Sequence, residues 1–329
     1  MRRKILSVLL CCLTLCSCGN SSDSTISITT TTTTKTESSV ENATPPTDIG
    51  NEVSVGIGIN YPEGATNLEF DGEKVSAEIS LDCDNADTEL GLLIYVEGMV
   101  QKYSVYKNQE EKAMHTFNLI AGETKTVMIE FDPIVGKKGD NLNVIFGIML
   151  NPSFVAEDEN RTYGNNHKIN TLGIQKLVMK ADGQNSEVLF SEKYDCEEMT
   201  EEFKSKYVLF NEDGSLYRNK LEWLNDVIVL SKEESSIVKP GESIVYQLFG
   251  GQESTYTVGL YVNNQLVTDA FDGKPYVEIK TKADTVSSIT VDIDSLQLKN
   301  NDCISFIAIP KEVSERELYK SVNITYIED

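Results

Sequence analysis

Histidine is nearly absent from this sequence, with two in 329 residues, and tryptophan occurs once. Two imidazoles exclude a histidine-rich metal centre and leave little material for acid–base catalysis. Cations are scarce as well: 29 Lys and Arg stand against 52 Asp and Glu, for a formal charge of −23. Such a chain lacks the basic footprint of a nucleic-acid binder and the attraction for anionic lipid. No Gly-x-Ser-x-Gly, His-Glu-x-x-His, Cys-x-x-Cys or Gly-x-Gly-x-x-Gly occurs, so the common nucleophile, zinc, redox and dinucleotide signatures are missing. No apolar run reaches the ~20 residues that a membrane-spanning helix needs.

What is present begins with an address. Arg2-Arg3-Lys4 precedes an uncharged, almost wholly apolar run from Ile5 to Leu15. As a helix this run rises only about 16 Å, about half of a hydrocarbon core, so it reads as the core of a signal peptide. It ends in Leu15-Cys16-Ser17-Cys18-Gly19. The stretch resembles the lipobox of bacterial lipoproteins, with an aliphatic residue at −3 and small residues at −2 and −1 before a cysteine. Cys16 at −2 departs from the usual residue. The resemblance implies a diacylglyceryl thioether on Cys18 and removal of residues 1–17. Losing Arg2, Arg3 and Lys4 takes the formal charge from −23 to −26.

Residues 18–50 form a Ser/Thr-rich tether with six consecutive threonines, Thr29 to Thr34, and the pair Pro45-Pro46. So few apolar side chains cannot offset the entropy of ordering, and the tether is expected to be disordered. Its reach is ~100 Å extended and about 30 Å as a coil.

From residue 51 the dominant period is two. Val75, Ala77, Ile79 and Leu81 alternate with Ser76, Glu78 and Ser80; Leu142, Val144, Phe146, Ile148 and Leu150 follow the same rule. About seven such strands, separated by turns such as Asp71-Gly72 and Ala121-Gly122, meet the criteria for an Ig-like sandwich. A second set runs from Ile244 to Tyr326 in matching order. Gly91 to Val96 parallels Gly259 to Val262, His115 to Leu119 parallels Tyr276 to Lys280, and strands ending at Pro152 and Pro310 correspond. The fold expected is therefore all-β, with two tandem Ig-like antiparallel β-sandwiches at 51–182 and 226–329. An ordered bridge, 183–225, is expected between them, with helical turns near 197–204, a hairpin near 207–217 and Trp223 filling the junction.

Candidate chemistry is sparse. Asp82, Asp84, Asp87 and Glu89 gather hard oxygen ligands in one loop and are the calcium candidates, without the spacing of an EF-hand. A solvated acidic loop is the alternative. Tyr103 and Tyr106 lie in a polar stretch and are candidate ligand-binding platforms; a packing role beneath a hairpin is the other reading. His115 shares a strand face with Phe117 and Leu119 and reads as structural. Beyond Cys18 the mature chain holds Cys83, Cys196 and Cys303, an odd number that cannot all pair internally. Cys303 reads as a buried free thiol.

These features point to a lipid-anchored protein on the outer face of the bacterial cytoplasmic membrane or the cell surface. Its expected role is adhesion, binding or envelope assembly with an extracellular protein or polysaccharide, without catalysis or a resident cofactor. One alternative is an extracytoplasmic solute-binding lipoprotein of a transporter, a class normally rich in long amphipathic helices. The other is a polysaccharide-binding accessory module of an envelope enzyme.

Overall fold

The computed structural model describes residues 53–61, 65–106, 110–156, 163–184, 190–192, 194–206, 227–230, 237–250, 253–282, 284–311 and 318–328. Within these the chain is built almost wholly of strands, and its sheets pair into two sandwiches. Cys18, the tether, the expected hairpin near 207–217 and Trp223 lie outside the described residues.

In sandwich one the strands are β1 (Val55–Asn60), β2 (Leu68–Phe70), β3 (Val75–Cys83), β4 (Thr88–Val96), β5 (Met99–Val100), β6 (Ser104–Val105), β7 (Met114–Leu119), β8 (Glu123–Phe131), β9 (Asn141–Leu150) and β10 (Ile169–Met179). One sheet has the order β1-β3-β8-β6; the other runs β2-β10-β9-β4, with β5 and β7 both on β4. The period-two pattern decides which side faces in. Val75, Ala77, Ile79 and Leu81 are buried against Leu92, Ile94, Phe146 and Ile148 of the opposing sheet, while Ser76, Glu78 and Ser80 face outward.

Sandwich two contains β11 (Phe190–Ser191), β12 (Asp195–Glu198), the short helix α1 (Glu201–Lys206), β13 (Val227–Leu230), β14 (Ile237–Val238), β15 (Ser243–Gly250), β16 (Ser254–Val262), β17 (Gln265–Leu266), β18 (Tyr276–Thr281), β19 (Thr285–Asp292), β20 (Cys303–Pro310), β21 (Tyr319–Lys320) and β22 (Ile324–Tyr326). Its sheets run β12-β19-β15-β13 and β11-β18-β16-β20-β22-β14. Tyr246, Val258, Leu260, Ile289 and Phe306 fill its core, with the rings of Tyr246 and Phe306 stacked at 4.7 Å.

The two strand orders correspond element by element. In each copy a first strand pairs antiparallel with the second long strand (β1 on β3, β13 on β15), and a short strand pairs parallel with the last (β2 on β10, β14 on β22). These parallel pairs, and β11 on β18, are two- or three-residue additions at the edges of sheets that are otherwise antiparallel, as expected. The leading segment of each copy splits into two pieces, and the second piece crosses to the other sheet.

The described part of the stretch expected as a bridge contributes strands to sandwich two. β11 extends one sheet of sandwich two at β18, and β12 extends the other at β19. Glu197 and Glu198 lie on β12 rather than in a helix. The helix starts at Glu201, capped by Thr200, whose Oγ1 accepts from the Phe203 N–H at 3.0 Å. Phe203 then packs edge-on against Phe249 at 5.0 Å, covering the outer face of its sheet.

Ile79→Ala should lower stability by about 2–5 kcal/mol by opening a cavity in the core, read as a fall in the denaturant midpoint. Ser80→Ala, one residue on and facing out, should change it by no more than ~0.5 kcal/mol. The reverse ordering would contradict the assigned strand faces.

Candidate functional site: the seam between the sandwiches

Four strands are buried on both faces. In β4 and β9 the even-numbered residues fill sandwich one, and the odd-numbered Leu93, Tyr95, Ile145 and Met149 are also buried. Their partners are Tyr261 of β16 and Ile307 and Ile309 of β20, which join them in a single cluster. The two sandwiches thus pack through the outer faces of corresponding sheets. Gly91 and Gly259 leave room on this face. A Cβ on Gly91 would come within 2.5 Å of Met114 Sδ, and one on Gly259 within 3.0 Å of Leu266 Cδ1.

The same hairpin closes each end of the seam. Glu97-Gly98 joins β4 to β5 and Asn263-Asn264 joins β16 to β17; all four residues have positive φ, between 49° and 80°. Two consecutive positive φ values define a type I′ turn, whose twist suits a two-residue hairpin. The first turn residue closes onto the neighbouring strand in each copy: Glu97 N–H donates to Asn143 O at 2.9 Å and Asn263 N–H to Cys303 O at 2.8 Å. The second turn residue crosses the seam. Gly98 lies against Thr257 and Ile309, and Asn264 Nδ2 donates to Pro152 O at 3.0 Å. Each sandwich offers the other its turn and its strand end, so the contact is reciprocal, as in a two-fold dimer.

Polar groups rim the apolar centre. On one side Asn143 Nδ2 donates to Lys311 O at 2.9 Å, and Lys176 Nζ donates to Asn143 Oδ1 at 2.6 Å. Lys311 pairs with Glu278 and lies 4.6 Å from the centre of the Phe190 ring. Val100 N–H donates to Tyr276 Oη at 2.9 Å. Burial pushes the Glu97 carboxyl up, opposed by the Asn143 N–H and by Lys176 and Lys311.

On the other side Tyr163 and His167 of sandwich one meet Cys303 of sandwich two. His167 Nδ1 lies 3.8 Å from Cys303 Sγ, and the Tyr163 and His167 rings are 4.9 Å apart. A cysteine beside a histidine suggests a nucleophile, but the electrostatics oppose it. Burial pushes the Cys303 thiol up, and burial together with the Lys320 ammonium takes His167 down to about 4. A working dyad needs the thiolate–imidazolium form; here both partners favour the neutral one. Burial also lowers Lys320, to about 8.

The residues singled out from sequence are dispersed. Tyr103 is not a platform: it is fully buried, its Oη donating to Leu92 O at 2.6 Å and accepting from the His115 N–H at 3.1 Å. Its ring is needed beneath the β7 edge, where His115 Nε2 also reaches Tyr103 O at 2.9 Å. Tyr106 is about half exposed and has φ +61°. The acidic loop residues take separate partners. Asp84 accepts from Ser54 Oγ at 2.8 Å, Asp87 from the Ala121 N–H at 2.9 Å, and Glu89 from Ser153 N–H and Oγ, both at 3.0 Å. Asp82 sits on β3 opposite Gly56. No group of three or more His, Cys, Asp or Glu converges as a metal site among the described residues. Cys83, Cys196 and Cys303 are free thiols; Cys83 and Cys303 are buried and Cys196 is exposed on β12.

No family model and no curated protein matches the chain. Among solved structures it is similar to the periplasmic chaperone SfaE, at 10% identity over 84% of this chain and all of that one, with a TM-score of 0.20. It is also similar to the Salmonella enterica SafA pilin–SafB chaperone complex (12% identity, 82% of this chain and 96% of that one, TM-score 0.22). A protein of unknown function from Porphyromonas gingivalis W83 matches at 12% identity over 84% and 99% of the two chains, with a TM-score of 0.22. The fold assignment rests on the strand pairing described above.

Gly98→Ala should destabilise the protein by more than Gly122→Ala. Both residues have φ near +80°, so both substitutions carry backbone strain of about 1 kcal/mol. A Cβ on Gly98 also meets Thr257 Cβ at 2.8 Å, whereas one on Gly122 meets nothing within 4 Å. Equal losses in denaturant melts would remove Gly98 from the seam. Tyr103→Phe should cost about 1–3 kcal/mol by leaving the Leu92 carbonyl without its buried donor; a neutral result would contradict the core placement.

Proposed function

We propose that the chain is a lipid-anchored envelope protein that holds a macromolecular partner outside the cell without transforming it. The lipobox-like Leu15-Cys16-Ser17-Cys18 supports the anchor, and the Ser/Thr-rich tether supports display away from the bilayer. The observation that carries the binding reading is an asymmetry of sheet edges. In sandwich two, β11 lies beyond β18 and β12 beyond β19, so added strands end those sheets. In sandwich one, β1 and β7 end their sheets with six residues each, the longest terminal strands of the described fold. Unpaired N–H and C=O groups along a strand edge are a template for another chain. The buried Cys303–His167 pair, held in its neutral form, supports a role without chemistry.

Two experiments test this reading. Cys18→Ala should lose the lipid mass and release the protein to the medium; retention in the membrane at unaltered mass would remove the anchor. Residues 51–329 should bind envelope fractions saturably, more weakly at high salt, because their formal charge of −23 (25 Lys and Arg against 48 Asp and Glu) steers association over short distances. No saturable binding would leave a passive stalk. A tightly bound small solute would favour the transporter reading, and release of cleaved glycan or peptide would favour an enzyme.

A further inference from the structure

His167 is the most enclosed charge-bearing group that the seam uses. It is 2% exposed, and its Nε2 has no hydrogen-bond partner among the described residues. The residue sits in the left-handed region at φ +62°, held by its N–H donating to Leu150 O at 2.7 Å. The turn thereby fixes the ring against sandwich two. The titratable groups that face it come from four places, Tyr163 on its own segment, Cys303 on β20, Lys320 on β21 and Glu89 on β4, and the Phe154 and Pro152 backbones act in favour of its charged form without offsetting burial. Glu89, the only carboxylate of the set, already accepts both hydrogen bonds of Ser153. Lys320 donates to Asn323. A proton arriving on His167 therefore sets a buried cation beside the half-buried Lys320, at the point where the two sandwiches touch.

We propose that this end of the seam is an acid-released latch, in which protonation of His167 undocks residues 163–167 from β20 and loosens the seam while each sandwich stays folded. Docked, the imidazole titrates at about 4; its ordinary value is 6.5. Above pH 6.5 both forms are neutral and the seam has its full strength. As pH falls from 6.5 the undocked form takes up the proton first, so docking weakens. Below about pH 4 the loss levels off, at ~300-fold in the docking equilibrium.

The three thiols report the event directly. Cys303 is buried at the seam, Cys83 is buried inside sandwich one, and Cys196 is exposed. Labelling with 4,4′-dithiodipyridine, which reacts in mild acid, followed by peptide mass spectrometry reads all three in one sample of the full chain. Between about pH 7 and about pH 4.5 the rate at Cys303 relative to Cys196 should rise ~60-fold, with Cys83 still protected. His167→Gln cannot take the proton and should keep Cys303 protected. Lys320→Met, which removes the neighbouring cation, should raise the midpoint of His167 and shrink the response. The chain has only two histidines, so imidazole NMR follows His167 with His115 as reference, and this titration serves if His167→Gln fails to fold. The proposal is overturned if Cys303 stays protected in the wild type at about pH 4.5, if it is exposed equally in His167→Gln, or if Cys83 and Cys303 become reactive together.

Discussion

The apolar contact of Leu93, Tyr95, Ile145 and Met149 with Tyr261, Ile307 and Ile309 governs the architecture. Leaving a sheet face of this composition in water is costly, since each large apolar side chain left out forfeits about 1.5–3 kcal/mol of burial. Each sandwich has its own core and gains further stability when docked. The seam supplies each with the cover that a layered fold requires on the second side of a central sheet. It also explains why the polar residues near it are so fully engaged: Asn143, Asn264 and Tyr276 each use a side chain to satisfy a backbone group of the opposite sandwich.

Copies of one unit need not keep the same chemistry on a shared face. By turn and strand register Tyr95 corresponds to Tyr261, Met149 to Ile309 and Asn143 to Cys303. The centre stayed apolar on both sides, while the rim diverged into Glu97, Asn143 and Lys176 on one copy and Lys311 and Glu278 on the other. Edge treatment diverged as well. Sandwich one ends its β8 edge with β6, a two-residue strand from within the domain, whereas sandwich two ends the matching β19 edge with β12, from a segment preceding the domain.

The sandwiches were legible in the sequence because a half-buried strand leaves a period of two, as Val75 to Leu81 does without exception. The duplication was legible because five such segments recur in order. The seam was not, although its signal was present. In Leu142 to Leu150 the alternating set is Leu142, Val144, Phe146, Ile148 and Leu150, yet the intervening Ile145 and Met149 are apolar too. A strand buried on both faces reads as a continuous apolar run, and Gly91 to Val96 is one. The aromatic candidate Tyr103 failed for a related reason. Polar neighbours in sequence place a residue near the surface of the chain, but strand pairing at Lys112 folds this one inward. The positive-φ turn at Glu97-Gly98 and the αL placement of His167 depend on contacts distant in sequence, so no local pattern announces them.

The parallel pairing of β2 with β10 gives sandwich one a mechanical direction. A load entering at Val53 and leaving at Gln184 pulls these two strands from opposite ends. Leu68 to Phe70 and Leu177 to Met179 then slide along one another, and their bonds resist together instead of opening one at a time. The Lys180 N–H, which donates to Phe70 O at 2.7 Å, adds another bond in the same sense. Sandwich two repeats the arrangement with β14 and β22. Tension along the chain therefore meets a clamp in each copy, placed where the polypeptide enters and leaves.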